Sequence, residues 1–469
     1  MNVVRGGVRP TAGTLTQLFF DAVERYDKPD ALQVKIGGRY EPISHRVMAD
    51  RVRHVACGLQ RLGVQRGDRV AIISENRPEW AIADFACLTA CLTDVAVYPT
   101  LPPQQIAYIL NDSGAVAAFV STREQAEKLA EIRGTLPALR HVIGFDDMTG
   151  VVETTITALE QRGREGETEA SIAQYRTAAL QVQPDDVATL LYTSGTTGTP
   201  KGVMLTHDNL YSNVAASLHL IDFTGHDVGL SFLPLSHIFE RMAGHYLMIA
   251  TGTSIAYAES IDTVPDNLLE VRPTFLVSVP RIYEKIYMRV VETARSGGVV
   301  KNAIFQWARN VAEQCAEIRM TGRKPSGRLA VKSTLAHKLV FSKILARTGG
   351  QIRYCVSGGA PLSPEINKFF CGVGLFVLEG YGLTETSPVI TVNTPDAFRI
   401  GTVGRPIDGV EVMIADDGEI LTRGPHVMKG YYNKPQATAE GSIGTDGSTR
   451  ATSGSYAMDS SLSPIAKKI

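Results

Sequence analysis

The chain has 469 residues, enough for two or three domains or for one large layered domain. Hydrophobic residues make up 44% of it and charged residues 20%, which is typical of a soluble globular protein with a sizeable core. The 47 basic residues nearly cancel the 48 acidic ones, so the overall charge does not favour nucleic acid or an anionic membrane as a partner. Any bound anion must therefore be held by local geometry.

The N-terminus and the cysteines bear on the cellular compartment of the protein. The six cysteines lack the spacing of metal ligands, and we expect inert reduced thiols. The N-terminus has no basic-then-apolar leader, and no apolar run reaches the roughly 18 residues that a membrane-spanning helix needs. The sequence therefore predicts a cytoplasmic protein.

Strand-like and helical patterns alternate through the first quarter of the chain. Short apolar runs of buried character predict strands, and apolar residues at helical spacing predict the helices between them. In chain order these are helices 14–26 and 43–63, strand Val70–Ile73, a helix opened by Asn76–Trp80, strand Val95–Pro99 and helix Gln104–Asp112. This alternation predicts parallel βαβ layers and an α/β fold.

Three later segments are less regular. Residues 160–182 turn polar and alanine-rich, which predicts a surface connection. Residues 295–350 predict amphipathic helices, with a basic loop between helices at 322–328. Because no aromatic residues interleave with these basic side chains, we do not expect a nucleic-acid site there.

The densest motif lies at 189–207, where an apolar strand enters a loop rich in glycine and hydroxyl residues, with a helix expected after it. Glycines allow backbone N–H groups to approach an anion, hydroxyls add donors, and Lys201 supplies a mobile positive charge. The phosphate-binding candidates are Thr193, Ser194, Gly195, Thr196, Thr197, Gly198 and Lys201. The spacing is not that of the P-loop, since Lys201 lies between a proline and a glycine. A polar surface turn is the alternative interpretation.

Two further motifs follow, Ser-Gly-Gly-Ala-Pro-Leu at 357–362 and Tyr-Gly-Leu-Thr-Glu-Thr at 381–386. With Ser194–Gly202 they resemble, in order and spacing, the three signatures of the adenylate-forming superfamily. The resemblance implies nucleotide contacts from Gly358, Gly359, Ala360, Tyr381, Gly382 and Thr384. It places Tyr381 on adenine, Thr384 at the α-phosphate and Glu385 as a magnesium ligand. On its own the third string could be a loop with a capping threonine.

Weaker strings bear on the substrate. Residues 233–241 (LPLSHIFER) resemble the acyl-site motif of long-chain enzymes, which would put His237 at the carboxylate end of an acyl pocket. A histidine beside Ile238 and Phe239 can equally be a satisfied core residue. Residues 272–275 with 279–286, residues 76–80 and the helical insert 295–350 are also similar to the long-chain branch.

The chain thus resembles an AMP-forming long-chain acyl-CoA synthetase. The resemblance implies layered parallel-sheet subdomains with a small β-barrel in residues 1–435, as in the large N-terminal domain of acetyl-CoA synthetase. It implies ATP, Mg²⁺, coenzyme A and a fatty acid as partners, and Lys201, Thr384, Glu385 and His237 as catalytic residues. Contact with a membrane surface for acyl uptake is compatible with it, and the oligomeric state stays open.

The family pattern stops near Glu440. The family continues with a ribose-binding Asp-Gly-Trp…Thr-Gly-Asp string, an Asp-Arg-x-Lys hinge and a small C-terminal domain that supplies a lysine. Residues 441–469 are rich in Ser, Gly, Ala and Thr, so we predict that 436–469 is an aberrant, disordered tail replacing the hinge and that domain. We expect impaired activity as a result.

The tail also suggests its own origin. Back-translation of residues 441–469, read one frame over, can give VDRDGWVDTGDLGLVRDGFLFITDRKED, which contains both absent strings in family order. Most bases in that register come from codon positions that the amino acids fix. We therefore predict a frameshift near Glu440–Gly441, from a gene lesion or a sequencing error. DNA sequencing across codons 435–469 tests this, and an intact present frame without a family-like downstream frame would contradict it.

Two alternatives to a competent ligase stay open at this point. One is a non-catalytic remnant that binds nucleotide or fatty acid. The other is an adenylation domain acting on another carboxylate, as in peptide synthetases. The second is disfavoured because the sequence shows neither a carrier domain nor the aspartate of an amino-group pocket.

Overall fold

The computed structural model describes residues 3–194, 198–443 and 448–451. These residues form strands in three sheets. The strands are β1 Val3–Arg5, β2 Leu32–Ile36, β3 Arg39–Ile43, β4 Arg69–Ile73, β5 Thr93–Val97, β6 Ala117–Val120, β7 His141–Gly144, β8 Thr154–Thr155, β9 Val187–Ser194, β10 Pro200–Thr206, β11 Val228–Ser231, β12 Ser254–Tyr257, β13 Phe275–Ser278, β14 Tyr354–Ser357, β15 Phe376–Gly382, β16 Val389–Val392, β17 Arg405–Pro406, β18 Glu411–Ile414, β19 Ile420–Arg423, β20 Gly430–Tyr431, β21 Ser442–Ile443 and β22 Ser448–Ala451.

Helices cover the faces of the two larger sheets. They are α1 Leu15–Tyr26, α2 His45–Arg61, α3 Pro78–Thr89, α4 Pro103–Ser113, α5 Arg123–Ile132, α6 Ile156–Arg164, α7 Glu169–Ala179, α8 His207–Ser217, α9 Leu247–Thr251, α10 Val264–Val271, α11 Pro280–Ser296, α12 Val299–Arg319, α13 Gly327–Ala336, α14 Ser342–Ala346, α15 Pro364–Val373 and α16 Pro435–Gly441. Short 3₁₀ turns lie at Arg133–Thr135 and Thr384–Thr386, and π-helical segments at Glu240–Tyr246 and His337–Phe341.

The nine-stranded sheet has the order β17-β16-β15-β14-β13-β11-β12-β2-β3. Its six central strands from β15 to β2 run parallel, and the strands at both ends are antiparallel. Parallel pairing requires the crossover helices that the sequence alternation predicted. The predicted α/β layering is therefore confirmed.

The eight-stranded sheet has the order β20-β10-β9-β5-β4-β6-β7-β8. Strands β9, β5, β4, β6, β7 and β8 are parallel, whereas β10 returns antiparallel to β9. The sequence did not predict strand β10, which lies between the glycine-rich loop and the helix that was expected after it. Val203 and Leu205 are buried, so this stretch is a half-buried strand, and the helix begins only at His207.

The third sheet is smaller and open. Its order is β1-β18-β19-β22-β21, and each edge strand pairs with one neighbour among the described residues. The small β-barrel expected from the sequence is thus an open sheet within the part of the chain that the structure describes. Strands of two to four residues present too few ladder positions to close a barrel.

Local signals explain where the early helices begin. Thr14 and Ser44 accept hydrogen bonds from the backbone N–H groups of Gln17 and Val47, and so cap α1 and α2. Proline at the first position of α3 and of α4 needs no N–H partner there. The predicted helices and strands of residues 14–113 are confirmed to within three residues at each end, apart from the longer reach of α3.

Residues 160–182 depart from expectation, since most of them form α6 and α7 rather than a connection. Thr168 and Ser171 cap α7 reciprocally, which starts a helix even in a polar, alanine-rich stretch. At the C-terminus, 435–441 is helical, and β22 extends the small sheet beside β19. The predicted disorder of 436–469 otherwise concerns 444–447 and 452–469, which lie outside the described residues.

The two larger sheets share one buried core. Ile72 of the eight-stranded sheet, Leu230 of the nine-stranded sheet and Trp80 of α3 belong to a single apolar cluster. Within the described ranges no helix combines the length and the apolar character needed to cross a bilayer. The shared core holds the facing edges of the two sheets at fixed positions.

Candidate active site

The motif segments meet at one edge of the nine-stranded sheet. Residues 232–241 follow β11, residues 279–286 follow β13, and the Gly358 loop follows β14. The third motif begins on the last residues of β15. These four strands are mutually parallel, so their carboxyl ends lie together, and loops there commonly form the binding crevice of α/β proteins.

The glycine-rich loop is the tip of the β9–β10 hairpin from the other large sheet. Thr193 pairs with Lys201 and Ser194 with Pro200 across the hairpin. Gly198 has a φ of 86°, a conformation that side chains with a Cβ rarely adopt. The proposed phosphate ligands Gly195, Thr196 and Thr197 lie outside the described residues, as does the side chain of Ser194.

The base of this hairpin is fixed from the side. The Tyr108 hydroxyl of α4 donates to the carbonyl of Pro200 at 3.0 Å. Tyr192 on β9 stacks edge-on against Tyr108 and donates to Asp112 at 2.7 Å. These contacts set the position of Lys201, the residue after Pro200.

Lys201 and Glu385, which the sequence analysis assigned to the same site, meet through a third residue. The Lys201 Nζ atom lies 5.1 Å from the centroid of the Tyr431 ring. The Tyr431 hydroxyl donates to Glu385 Oε1 at 2.8 Å. Burial, with the adjacent Glu385 carboxylate, raises the pKa of Tyr431 above its ordinary value, so this phenol stays protonated. A cation, a phenol and a carboxylate thus form one cluster between two sheets.

The backbone around Glu385 is tightly constrained. A Cβ on Gly382 would lie 1.7 Å from the carbonyl oxygen of Pro388, so only glycine fits there. Thr384–Thr386 form a 3₁₀ turn, and Thr386 Oγ1 donates to that same carbonyl at 2.6 Å. The carbonyl of Glu385 accepts from the Met428 N–H at 2.9 Å. Thr384 lies half-buried in this turn.

The second motif contacts the acyl-site string. A Cβ on Gly358 would lie 3.0 Å from Cζ of Phe239, so the ring packs directly against the Gly358 backbone. Gly359, with a φ of 81°, and Ala360 are exposed next to it. The structure therefore brings two strings together that are 119 residues apart in the sequence.

His237 lies at the surface of this region rather than in the core. The residue is exposed to solvent. Nearby protein atoms nevertheless desolvate part of the imidazole ring, which lowers the pKa of His237. Its Nδ1 atom accepts from the Phe239 N–H at 3.1 Å, so the neutral ring carries its proton on Nε2. That Nε2–H group can donate to a carboxylate.

Tyr381 occupies a different position. Its side chain is only 5% exposed and belongs to an apolar cluster with Ile390 and Val403. Gly380 and Tyr381 pair with Val392 and Thr391 in the β15–β16 ladder. The structure thus shows a packing role for this ring, and its proposed contact with adenine stays a prediction.

The AMP-binding enzyme family model matches residues 19–432, which include all three motifs and the site described above. The chain belongs to the AMP-binding enzyme family. The Lys201–Tyr431–Glu385 cluster lies within the matched region, as do the His237 and Gly358 segments.

Individual relatives agree with this AMP-binding assignment. The chain is 38% identical over 421 residues to the long-chain-fatty-acid–CoA ligase FadD15 of Mycobacterium bovis, covering 88% of this chain and 68% of that protein. It is similar to ATP-bound MatB from Rhodopseudomonas palustris, with a TM-score of 0.69 at 25% identity, covering 93% of this chain and 75% of that one. It also matches the N-terminal domain of FACL13 from Mycobacterium tuberculosis, with a TM-score of 0.67 at 21% identity, covering 93% and 95%. The last comparison supports the fold alone.

Part of the acyl-site string of this AMP-binding chain is structural. Arg241 is fully buried and forms ion pairs with Asp84 of α3 and Asp94 of β5, and its Nη1 donates to Thr189 at 2.8 Å. Burial raises the pKa of Asp94 to about 6, against the opposing charge of Arg241. Burial also disfavours ionisation of Asp84, but Arg241 and His245 together lower its pKa. This cluster joins α3, two strands and the π-helical segment.

Asn76 explains why the string 76–80 accompanies the acyl-site string. Its Nδ2 donates to the carbonyl of Leu233 at 2.6 Å and to Ser231 Oγ at 2.9 Å, and its Oδ1 accepts from the Leu235 N–H at 3.0 Å. A single amide from the other sheet thus fixes the loop that leads to His237.

Sequence reasoning did not assign Tyr431 to the site. The string that contains it, 430–440, carried only the family resemblance, and nothing in its spacing pointed to Glu385. Pairing of β20 with β10 brings Tyr431 opposite Val203, two residues from Lys201. That long-range pairing, between residues 228 positions apart, is the information that the local pattern lacked.

Proposed function

We propose that this chain is a long-chain fatty acid–CoA ligase that forms AMP. The observation that carries the proposal is the junction of Lys201, Tyr431 and Glu385 at the carboxyl ends of parallel strands. The name of the 38% identical relative, a long-chain-fatty-acid–CoA ligase, and the ATP-bound state of the MatB neighbour support the substrates.

The first half-reaction joins the fatty acid to AMP. The carboxylate oxygen attacks the α-phosphorus of ATP, the bond from that phosphorus to the bridging oxygen breaks, and pyrophosphate leaves. Negative charge builds on the phosphoryl oxygens, so fixed positive charge and donors are what a protein can supply. Lys201, the loop at 193–198 and the Thr384 hydroxyl would supply them, and the nucleotide would lie along Gly358, Gly359 and Ala360.

Glu385 would hold Mg²⁺ beside the phosphates. Its Oε1 atom already accepts from Tyr431, which aims the carboxylate, and Mg²⁺ typically takes one or two carboxylates with the rest of its shell from phosphate and water. Among residues 3–194, 198–443 and 448–451 no cluster of three or more His, Cys, Asp or Glu could hold a metal by itself. The ion would neutralise charge on the phosphates.

His237 would orient the fatty acid. Its Nε2–H group is available to a carboxylate, because Nδ1 is occupied by the Phe239 N–H. The lowered pKa keeps the ring neutral, so it orients the acid by a hydrogen bond without weakening the nucleophile by full charge neutralisation. In the second half-reaction the thiol of coenzyme A attacks the acyl carbonyl, AMP leaves, and the thioester forms.

Pyrophosphate exchange and thioester formation, measured with the same preparation, test the proposal. We expect palmitate to support exchange of labelled pyrophosphate into ATP, and hexadecanol, which lacks the carboxylate, not to. Exchange with amino acids but not with fatty acids would indicate an adenylation domain of another class. If a folded protein that still binds ATP supported exchange with none of the acids, the ligase proposal would be refuted and a nucleotide-binding protein would remain.

A further inference from the structure

The helical region after β13 is strongly basic, although the whole chain is nearly neutral. Residues 281–347 contain 14 Lys and Arg against four Asp and Glu, a net charge of +10, whereas the chain as a whole has a net charge of −1. From Arg319 to Pro364 there is no acidic residue at all. A charge separation of this size within one chain creates a local field that the overall composition hides.

Exposed apolar side chains form a stripe within this basic region. Val331, Leu335 and Leu339 follow one another at intervals of four residues along α13 and the π-helical segment, with 71%, 48% and 40% exposure. Residues four apart lie on one face of a helix. Val299 and Val300, at the start of α12, are 87% and 72% exposed.

The two helices enclose a shallow apolar groove of about 340 Å³. It is lined by Ala303, Ile304, Trp307, Leu335 and Leu339. Exposed basic side chains accompany it on α12, on α13 and on the two helical segments that continue α13, and none of them forms an ion pair within the described ranges. They are Lys301, Arg328, Lys332, Lys338 and Lys343.

We propose that this face, the groove of α12 and α13 with its basic rim, docks the protein on the surface of an anionic membrane. An interfacial helix combines an apolar stripe with Lys and Arg at its borders, so that the stripe enters the acyl boundary while the cations meet lipid phosphates. Trp307 has the amphipathic indole that favours the headgroup level. The charge and the apolar area thus point to the same partner.

Two other occupants fit the surface less well. In a symmetric dimer through this face, two segments of net charge +10 would approach each other, which costs free energy. A nucleic acid would satisfy the cations, but it offers nothing to the exposed Val331, Leu335 and Leu339. An anionic lipid surface satisfies both.

The docking face is firmly joined to the body of the protein. A Cβ on Gly372 of α15 would lie 2.0 Å from the carbonyl of Ala312, so α12 and α15 are in direct backbone contact. Arg319, at the end of α12, donates to the carbonyl of Gly372 at 3.1 Å. Since α15 begins shortly after the Gly358 loop, the face is held in a fixed position relative to the candidate active site.

Tryptophan fluorescence with vesicles tests the inference on the intact protein. The chain has two tryptophans: Trp80 is fully buried, whereas Trp307 lines the groove. We expect a blue shift with phosphatidylcholine vesicles that contain phosphatidylglycerol, little shift with phosphatidylcholine alone, and loss of the shift in Trp307→Phe. Added salt should weaken binding, because the cations contribute through screened attraction.

Matched variants separate the two contributions. Lys332→Glu with Lys338→Glu should weaken co-sedimentation with the anionic vesicles by about tenfold or more, whereas Arg162→Glu with Arg164→Glu on α6 makes the same charge change elsewhere and should not. Leu335→Ser with Leu339→Ser should also weaken it, and Ile36→Ser, at another exposed apolar site, should not. All these side chains are exposed, and unchanged circular dichroism and Tm would confirm folding.

Several outcomes would overturn the proposal. They are absence of vesicle binding, binding that the groove variants leave unchanged, concentration-dependent dimers lost in Leu335→Ser, and binding to an oligonucleotide that needs the lysines but not the leucines. Vesicle binding is measured without ATP, fatty acid or coenzyme A. Its failure and the failure of the ligase proposal are therefore distinguishable.

Discussion

The two ends of strand β9 place polar residues in opposite conditions. At its start Thr189 is fully buried, donates to Asp94 at 2.9 Å and accepts from Arg241. At its end Thr193 is half-buried and pairs with Lys201 at the base of the glycine-rich loop. One strand thus belongs to a closed ionic cluster at one end and to an open candidate site at the other.

This difference distinguishes a structural charge, that of Arg241, from a candidate functional charge, that of Lys201. The guanidinium of Arg241 is fully buried and donates to two carboxylates and two hydroxyls, so a ligand cannot reach it. Among the described residues, the ammonium of Lys201 lies over the ring of Tyr431 and forms no ion pair. A buried charge must be compensated within the fold, whereas a charge that acts on a substrate must keep donors uncommitted.

Removal of Arg241 should have the largest effect, and on stability. Arg241→Met leaves Asp84 and Asp94 buried without their cation, which should lower the free energy of unfolding by about 3–5 kcal/mol. Urea unfolding followed by fluorescence measures this. The exposed Arg123, 3.9 Å from Glu127, is the control, since Arg123→Met should cost less than about 0.5 kcal/mol. Equal stability of the two variants would contradict the structural role of the cluster.

Removal of the Lys201 charge should instead lower activity and leave stability nearly unchanged. Lys201→Met keeps the length of the side chain but not its charge, and should lower the rate of pyrophosphate exchange by about 100-fold or more, because one fixed donor to a developing charge contributes on that scale. Its Tm should stay close to that of the unchanged protein. If Lys201→Met unfolded the protein and Arg241→Met spared it, the two ends of β9 would have been assigned the wrong way round.

The sequence predicts the open end of β9 better than the closed end. A dense string of glycine, hydroxyl residues and one lysine points to Lys201 as a phosphate-binding candidate, and the family resemblance of 381–386 points to Glu385. The buried cluster depends on residues from four separate elements, and none of its members stands out locally. The same limitation explains why Tyr431 was not assigned to the site and why Arg241 was grouped with the acyl pocket.

The shape of the fold was predictable to a similar degree. The alternation of strand-like and helical patterns predicted the parallel layers, because parallel strands are joined by crossover helices. The strand 200–206 was not anticipated, because Pro200 and Gly202 obscure its alternation, and the small sheet was expected to close. Whether short strands close into a barrel depends on pairing between residues as distant as Val4 and Val412, which no local pattern reveals.

A third prediction concerns pH and the residue next to Arg241. Glu240 is fully buried, with Ser231 donating to its Oε1 at 2.6 Å, and burial raises its pKa to about 8. The folded protein keeps this proton where the unfolded chain has lost it, so stability should fall as the pH rises from about 4.5 to about 8, by up to about 1.4 kcal/mol per pH unit. Glu240→Gln should remove that fall.

Thermal unfolding across this pH range measures the slope. Glutamine keeps the acceptor for Ser231 and cannot ionise, so the variant and the unchanged protein should differ little near pH 4.5 and most near pH 8. Glu131→Gln, at an exposed carboxylate, is the control and should leave the pH profile unchanged. Parallel profiles for Glu240→Gln and the unchanged protein would show that Glu240 is ionised when folded.

The smallest effect should come from Tyr431, which joins the open site to its own sheet. Tyr431→Phe keeps the ring next to Lys201 but removes the hydrogen bond to Glu385. Such a bond contributes about 0.5–1.5 kcal/mol, so kcat/KM for pyrophosphate exchange should fall by about tenfold or less. If the hydroxyl aims Glu385 at the metal, the half-saturating concentration of Mg²⁺ should rise as well. Tyr431→Leu should add a further small loss, because it also removes the ring beside the Lys201 ammonium. Equal kinetics and an equal Mg²⁺ requirement in Tyr431→Phe would mean that Glu385 is positioned by its backbone contact with Met428 alone, and that the cluster is held together from the loop rather than from β20.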